Sequence, residues 1–252
     1  MPRTLSEPDY VRSAIAAAER AFPEGEHPFR AEPARGRIDV LLDDGDREAL
    51  AACGAAVLNM QLALRAAGHA ATVDLFPDRT RPELVAVVWI RATCTPNARE
   101  RALARAIPAR HEHHRPLPDG TVPLSVRNAL VQAAAREEGE LVLLDPSAEV
   151  GTLERRLTEA GWLTGGPTGG LLGVLNSRTD TVRGQVQTGR ALQRVLLTSS
   201  VQGAPVAILL RPEAAQKARP ELRGFLGGQV NPQAVLEFGY PPPPLPEQRR
   251  RR

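Results

Sequence analysis

GAAVLNMQLALRAAGHAATV, residues 54–73, is echoed later in the chain by GRALQRVLLTSSVQGAPVAI, residues 189–208. The two stretches align without a gap at a constant offset of 135 residues, so that Gly54 falls on Gly189 and Gly68 on Gly203. Ala56, Val57, Met60, Leu62 and Val73 fall on Ala191, Leu192, Val195, Leu197 and Ile208. Each copy reads as an apolar helix closed by a glycine, followed by a short strand. A glycine just past a periodic apolar run is the residue expected where a helix stops in the left-handed conformation. Two such units predict an internal duplication, or a dimer fused into one polypeptide; the alternative is chance likeness between two helices rich in small and apolar residues.

Outward from these stretches the chain alternates helix and strand. In the first part we expect a helix over Ser6–Glu19 capped by Ser6, a loop over Phe22–Arg37 and a strand over Arg37–Asp43. After the first repeat helix come strands over Ala71–Phe76 and Glu83–Ala92 and an arginine-rich helix over Asn97–Ile107. Pro108–Pro123 is polar and proline-rich and divides the chain. Beyond it we expect a helix over Ser125–Glu138 capped by Ser125, a strand over Glu140–Asp145 and a helix over Val150–Gly161. A strand over Leu171–Asn176 leads through Asp180 into the second repeat helix, and a short helix or turn over Pro220–Gly228 precedes a last strand over Gln233–Tyr240. The pattern predicts an α+β or α/β sandwich. Both repeat helices belong at its centre, because they carry apolar residues on most sides. The expected halves are 1–107 and 108–252, forming one compact unit.

Composition narrows the function classes. The 252 residues include 32 basic and 29 acidic side chains, for a net charge of +3. Arginine is dispersed among carboxylates except at Arg249–Arg252, unlike the concentrated basic face of a nucleic-acid binder. Cys53 and Cys94 are too few for a disulfide framework and read as free thiols in a reducing compartment. The first twenty residues lack the apolar core of a secretory signal, and no run approaches the apolar length expected of a membrane span. The expectation is a cytoplasmic protein with no nucleic-acid or membrane partner.

Three stretches invite chemistry. The glycine-rich segment Gly161–Gly173 has neither the Gly-Lys-Ser/Thr of a phosphate loop nor GxGxxG opening a helix, and reads as a surface loop. His111, Glu112, His113 and His114 place imidazoles at alternate positions, which zinc accepts. No HExxH accompanies them, so an anion-binding basic loop is the preferred reading and metal binding the alternative. The terminal arginines offer bidentate donors to a phosphate, or are simply solvated.

Five segments together resemble the Acg-like branch of the nitroreductase-fold FMN-binding oxidoreductases. CGAAVLNMQLALRAAGHAATVDLFPD (53–78) is similar to that family's first central helix and next strand, and RPELVAVVWI (81–90) to the strand after it. AIPARHEHHRPL (106–117) resembles the segment that opens its second half. TGRALQRVLLTSSVQGAPVAIL (188–209) resembles its second central helix, and NPQAVLEFGYPPPPLPEQRRRR (231–252) its closing strand and arginine tail. The resemblance implies a nitroreductase-like sandwich of two fused half-units, an internal pseudo-dimer that is monomeric as a chain, with further self-association left open. It implies FMN as cofactor, NAD(P)H as electron donor, and a nitroaromatic or quinone as small-molecule acceptor. It further implies phosphate recognition by Arg110 and Arg115 from the basic loop and by Arg249 and Arg250 from the tail. The family's flavin-holding loop is represented by AFPEGEHPF (21–29), which lacks its Ser, Asn and Gln. The implied alternative is therefore a degenerate relative that binds flavin weakly or not at all and has a binding or stress-related role.

Overall fold

The two repeated stretches fold alike, at the same offset that aligns their sequences. In the computed structural model, which describes residues 8–21, 28–42, 47–110, 116–164 and 170–242, they form the helices Arg47–Ala66 and Val182–Val201. Gly68 and Gly203 end them at φ of +88° and +65°, a backbone region that glycine enters without a Cβ penalty. In chain order the elements are α1 (Asp9–Glu19), β1 (Arg30–Ala34), β2 (Arg37–Leu41), α2 (Arg47–Ala66), β3 (His69–Leu75), β4 (Leu84–Thr93) and α3 (Ala98–Ala109). They continue with α4 (Leu124–Ala135), β5 (Gly139–Leu144), α5 (Ala148–Glu159), β6 (Leu171–Ser177), α6 (Val182–Val201), β7 (Val206–Leu210), α7 (Pro212–Lys217), α8 (Arg219–Leu226) and β8 (Asn231–Phe238).

The architecture is α+β, with two four-stranded antiparallel sheets ordered β1-β2-β4-β3 and β5-β6-β8-β7. The orders match, and the strand that follows each central helix, β3 or β7, lies at a sheet edge. α2 and α6 pack on each other more extensively than any other pair of elements. One apolar core lies between the first sheet, α1 and α2 and includes Ile38, Val57, Met60 and Val88. Val186, which belongs to α6, reaches into this core. The equivalent core of the second sheet is built from Leu130, Leu175, Val195, Leu236 and Phe238.

The helices meet through glycine. A Cβ placed on Gly54 would fall closer than 3.0 Å to the Val186 carbonyl and the Arg190 amide; one on Gly189 would collide with the Ala51 backbone. The two positions that coincide in the repeat are thus the two where the backbones touch. Buried amides tie the pair further: Gln193 Nε2 donates to Asn59 Oδ1 at 3.0 Å, and Asn59 Nδ2 to the Ala17 carbonyl at 2.9 Å.

The halves differ on their outer faces. α5, α7 and α8 cover the second sheet with Leu153, Leu157, Ala215 and Leu222, which pack on Val174, Leu210 and Val235. This burial explains why every residue of β6 is buried. On the first sheet the guanidinium groups of Arg37 and Arg91 lie over the Trp89 ring, at 5.3 and 5.0 Å, and Trp89 donates its indole N–H to Asp74 at 2.7 Å.

Several sequence expectations need correction. β1 runs through the segment read as a loop. Its Pro33 lacks a ladder donor, and an edge strand accommodates that. Ser125 does not cap α4, whose N-cap is Pro123. Asp180 leads into α6 as read, and Thr181 caps that helix by accepting the Gly184 N–H at 3.1 Å. α7 had no counterpart in the sequence reading. Glu48–Ala66 is in fact long and apolar enough to cross a membrane by length and composition, at mean hydropathy 1.4. In this fold it lies against α1, α3, α6 and its own sheet.

The start of α3 agrees with its reading. Asn97 Oδ1 accepts the Glu100 N–H, and the Glu100 carboxylate accepts the Asn97 N–H, each at 2.9 Å, which completes a capping box. Replacing Asn97 with Ala is expected to cost about 1 kcal/mol, read as a lower urea midpoint with unchanged slope. Asn97→Asp, which keeps the acceptor, should retain most of that stability.

Candidate functional site

Small side chains open a cleft where the halves join. Ala51, Ala52 and Ala55 of α2 stand across from Gly189, Leu192, Gln193 and Leu196 of α6, and the space between them measures about 90 Å³. Ala21, Glu48, Ile208, Arg211, Pro212 and Arg110 complete its lining. The wall is therefore largely apolar, with polar groups from separate elements around it.

Each polar group has a structural reason for its place. Arg110 is the C-cap of α3, where the backbone turns extended (φ −70°, ψ 122°). Its Nη2 donates to the Ala21 carbonyl at 3.5 Å, which links the end of α3 to the end of α1. Arg211 occupies the N-cap of α7, directly after β7. Gln193 is held through its amide by Asn59. Two guanidinium groups suit a phosphate or carboxylate, and the Ala and Leu wall suits a flat apolar ring. Glu48 opposes an anion in the same cleft.

Of the arginines expected to bind phosphate, Arg110 lines this cleft. Arg115, Arg249 and Arg250, with His111, Glu112, His113 and His114, lie outside the described residues. The described chain bordering both basic segments does converge. Gly120 donates to the Tyr240 carbonyl at 2.9 Å, Tyr240 donates to the Pro118 carbonyl at 3.2 Å, and Asp119 forms a parallel bridge with Tyr240. Among the described residues no group of three or more His, Cys, Asp or Glu side chains could hold a metal. Both cysteines are free thiols, as expected. Burial pushes the Cys53 thiol up to about 12, so it is an inert core group.

Sequence reasoning missed Arg211, Gln193 and Glu48. They come from three elements and meet only in space. Gly189 was read only as a matched position of the repeat, and it also lines the cleft.

Two proteins from Mycobacterium tuberculosis strains H37Rv and CDC 1551, both named "putative NAD(P)H nitroreductase", are similar to this chain. Each is 25% identical over 264 aligned residues, covering 83% of this chain and 76% of the relative. No protein-family model matches the chain. Among solved structures, a Bacteroides fragilis nitroreductase with bound FMN aligns with TM-score 0.46 and 14% identity, covering 58% of this chain and 92% of its own. The NADPH:FMN oxidoreductase of Vibrio harveyi, complexed with NAD+, aligns with TM-score 0.44 and 15% identity, covering 58% of this chain and 74% of its own.

Proposed function

We propose that the chain is an FMN-dependent NAD(P)H oxidoreductase of the nitroreductase type, belonging to the Acg-like branch, with a nitroaromatic or quinone as acceptor. The observation that carries this reading is the apolar-walled cleft at the junction of the halves, with Arg110 and Arg211 at its edge. The similarity to the mycobacterial nitroreductases supports it. So does the bonding of residues 118–120 to Tyr240, which brings together the chain leading out of the basic loop and the chain leading into the arginine tail. Residues 1–107 and 108–252 would then be the halves of a fused pseudo-dimer that works as a monomer.

The two guanidinium groups fit a flavin phosphate, and the Ala and Leu wall suits contact with a ring face. When bound, FMN supplies two-electron chemistry between NAD(P)H and the acceptor. Arg110 and Arg211 would hold its phosphate, joined by Arg115, Arg249 and Arg250. Ala51, Ala52, Ala55, Leu192 and Leu196 would exclude water from one ring face, and the Gln193 amide would orient a polar ring edge.

Dialysis against FMN followed by a visible spectrum tests the proposal. Retained yellow colour that NAD(P)H bleaches is the expected result. Arg110→Ala is expected to weaken FMN binding about tenfold or more, the loss of a charge-assisted contact. The degenerate reading has its own support: Glu48 lines the cleft, and the enclosed space is only about 90 Å³. A protein that stays colourless at every FMN concentration would overturn the oxidoreductase reading in favour of that alternative.

A further inference from the structure

A second cleft lies on another face of α6, also between the halves. It measures about 520 Å³ and is lined by Gln61 and Arg65 of α2, Arg99 and Glu100 of α3, and Arg190 and Arg194 of α6, with Arg136 and Glu137 after α4. Five arginines face two carboxylates, and both carboxylates are already engaged. Glu137 lies between Arg190 and Arg194, and each ion pair closes to 2.5 Å. Glu100 is held by Arg65 at 2.5 Å and by the Asn97 N–H. The guanidinium groups of Arg99 and Arg136 meet no carboxylate among the described residues. Arg190 Nη1 is buried without a hydrogen-bond partner among those residues. The Arg99 pKa is lowered, first by partial desolvation and then by the positive charges of Arg136 and Arg194. Like charges so placed, with a buried N–H left over, define a site short of an anion.

We propose that this cleft binds a small phosphate-bearing anion, at a site separate from the cleft beside Arg110. Arg99 and Arg136 approach it from the two halves, Arg194 lines it beside them, and the unpartnered Nη1 of Arg190 supplies a donor. Its volume accommodates more than one phosphate group, so a diphosphate should bind better than orthophosphate. The ligand would bridge the halves without touching either sheet.

Calorimetric titration of the full chain at low ionic strength tests this, with inorganic pyrophosphate and orthophosphate as probes. Pyrophosphate is expected to bind one equivalent and to weaken steeply with added salt. Arg99→Gln with Arg136→Gln is expected to raise its Kd at least tenfold. Both side chains are exposed, so this variant should keep the wild-type circular dichroism spectrum. Arg110→Ala should leave pyrophosphate binding unchanged, which separates this site from the proposed flavin cleft. No pyrophosphate binding by the wild type, equal affinity in the double variant, or loss of binding in Arg110→Ala would each overturn the proposal.

Discussion

Gly189→Val is expected to remove more than about 3 kcal/mol of stability, toward the upper end of what overpacking costs. Any side chain at this position drives its first carbon into the Ala51 backbone. The obstacle is a carbonyl held in the helix ladder, not the flexible end of a side chain, so relief requires the two central helices to separate. Separation would open both apolar cores, because Val186 of α6 belongs to the first core and Val195 to the second. Against a total stability of about 5–15 kcal/mol for a natural domain, the variant should unfold near ambient temperature or stay insoluble. Gly224→Ala is the matched control. It lies in α8 with open space around its Cβ position, so it should be neutral or gain about 0.5–1 kcal/mol in helix propensity. Thermal melts of both variants settle the matter. A Gly189→Val melt within a few degrees of wild type would mean the helix backbones are not in contact.

The second large effect belongs to Glu137. Its side chain is 5% exposed and accepts from Arg190 and Arg194, which are 13% and 14% exposed. Removing it leaves two nearly buried cations facing each other. Truncating one member of a buried ionic cluster costs about 3–5 kcal/mol, most of it from the unpaired charge left behind. Glu137→Ala should lose that amount in urea denaturation. The loss should shrink when Arg190→Met and Arg194→Met are made in the same chain, because the stranded charges then go too. A cycle of these variants measures the coupling. Additive effects across the cycle would show that the three groups do not act as a unit. Gln61 adds to the cost, since its Oε1 accepts from Arg190 Nη2 at 3.1 Å and so links α2 to the same cluster.

What could be read from the sequence was what is periodic or local. The offset that aligns Gly54 with Gly189 and Gly68 with Gly203 marks both central helices, because close packing demands glycine at the first pair and a helix end favours it at the second. β4 was legible from its run of β-branched residues. β1 was not, because RAEPA carries neither alternation nor β-branched side chains, and its burial is mostly solvent-facing. It pairs because β2 leaves an edge open. The cap read at Ser125 failed because α4 starts earlier, with Pro123 at its N-cap and no side chain closing the first turn. In the candidate site Arg110 was accessible through a resemblance over a contiguous segment. Arg211, Gln193 and Glu48 were not, because the cleft assembles them from α7, α6 and α2. The same holds for Arg99 and Arg136, which looked like ordinary surface charge when counted along the chain.

The contact between Gly54 and Gly189 also governs how the sequence can drift. Backbone touching backbone leaves no side chain that could shrink to make room, so a carbon gained at either position has no compensating change within its own half. The only remedies lie across the seam, in the paths of residues 186–190 or of residue 51. Two segments that match in sequence are therefore bound to vary together, each acting as the mould for the other. Among homologues, substitutions at these positions should appear in pairs or not at all, even where the surrounding loops share nothing.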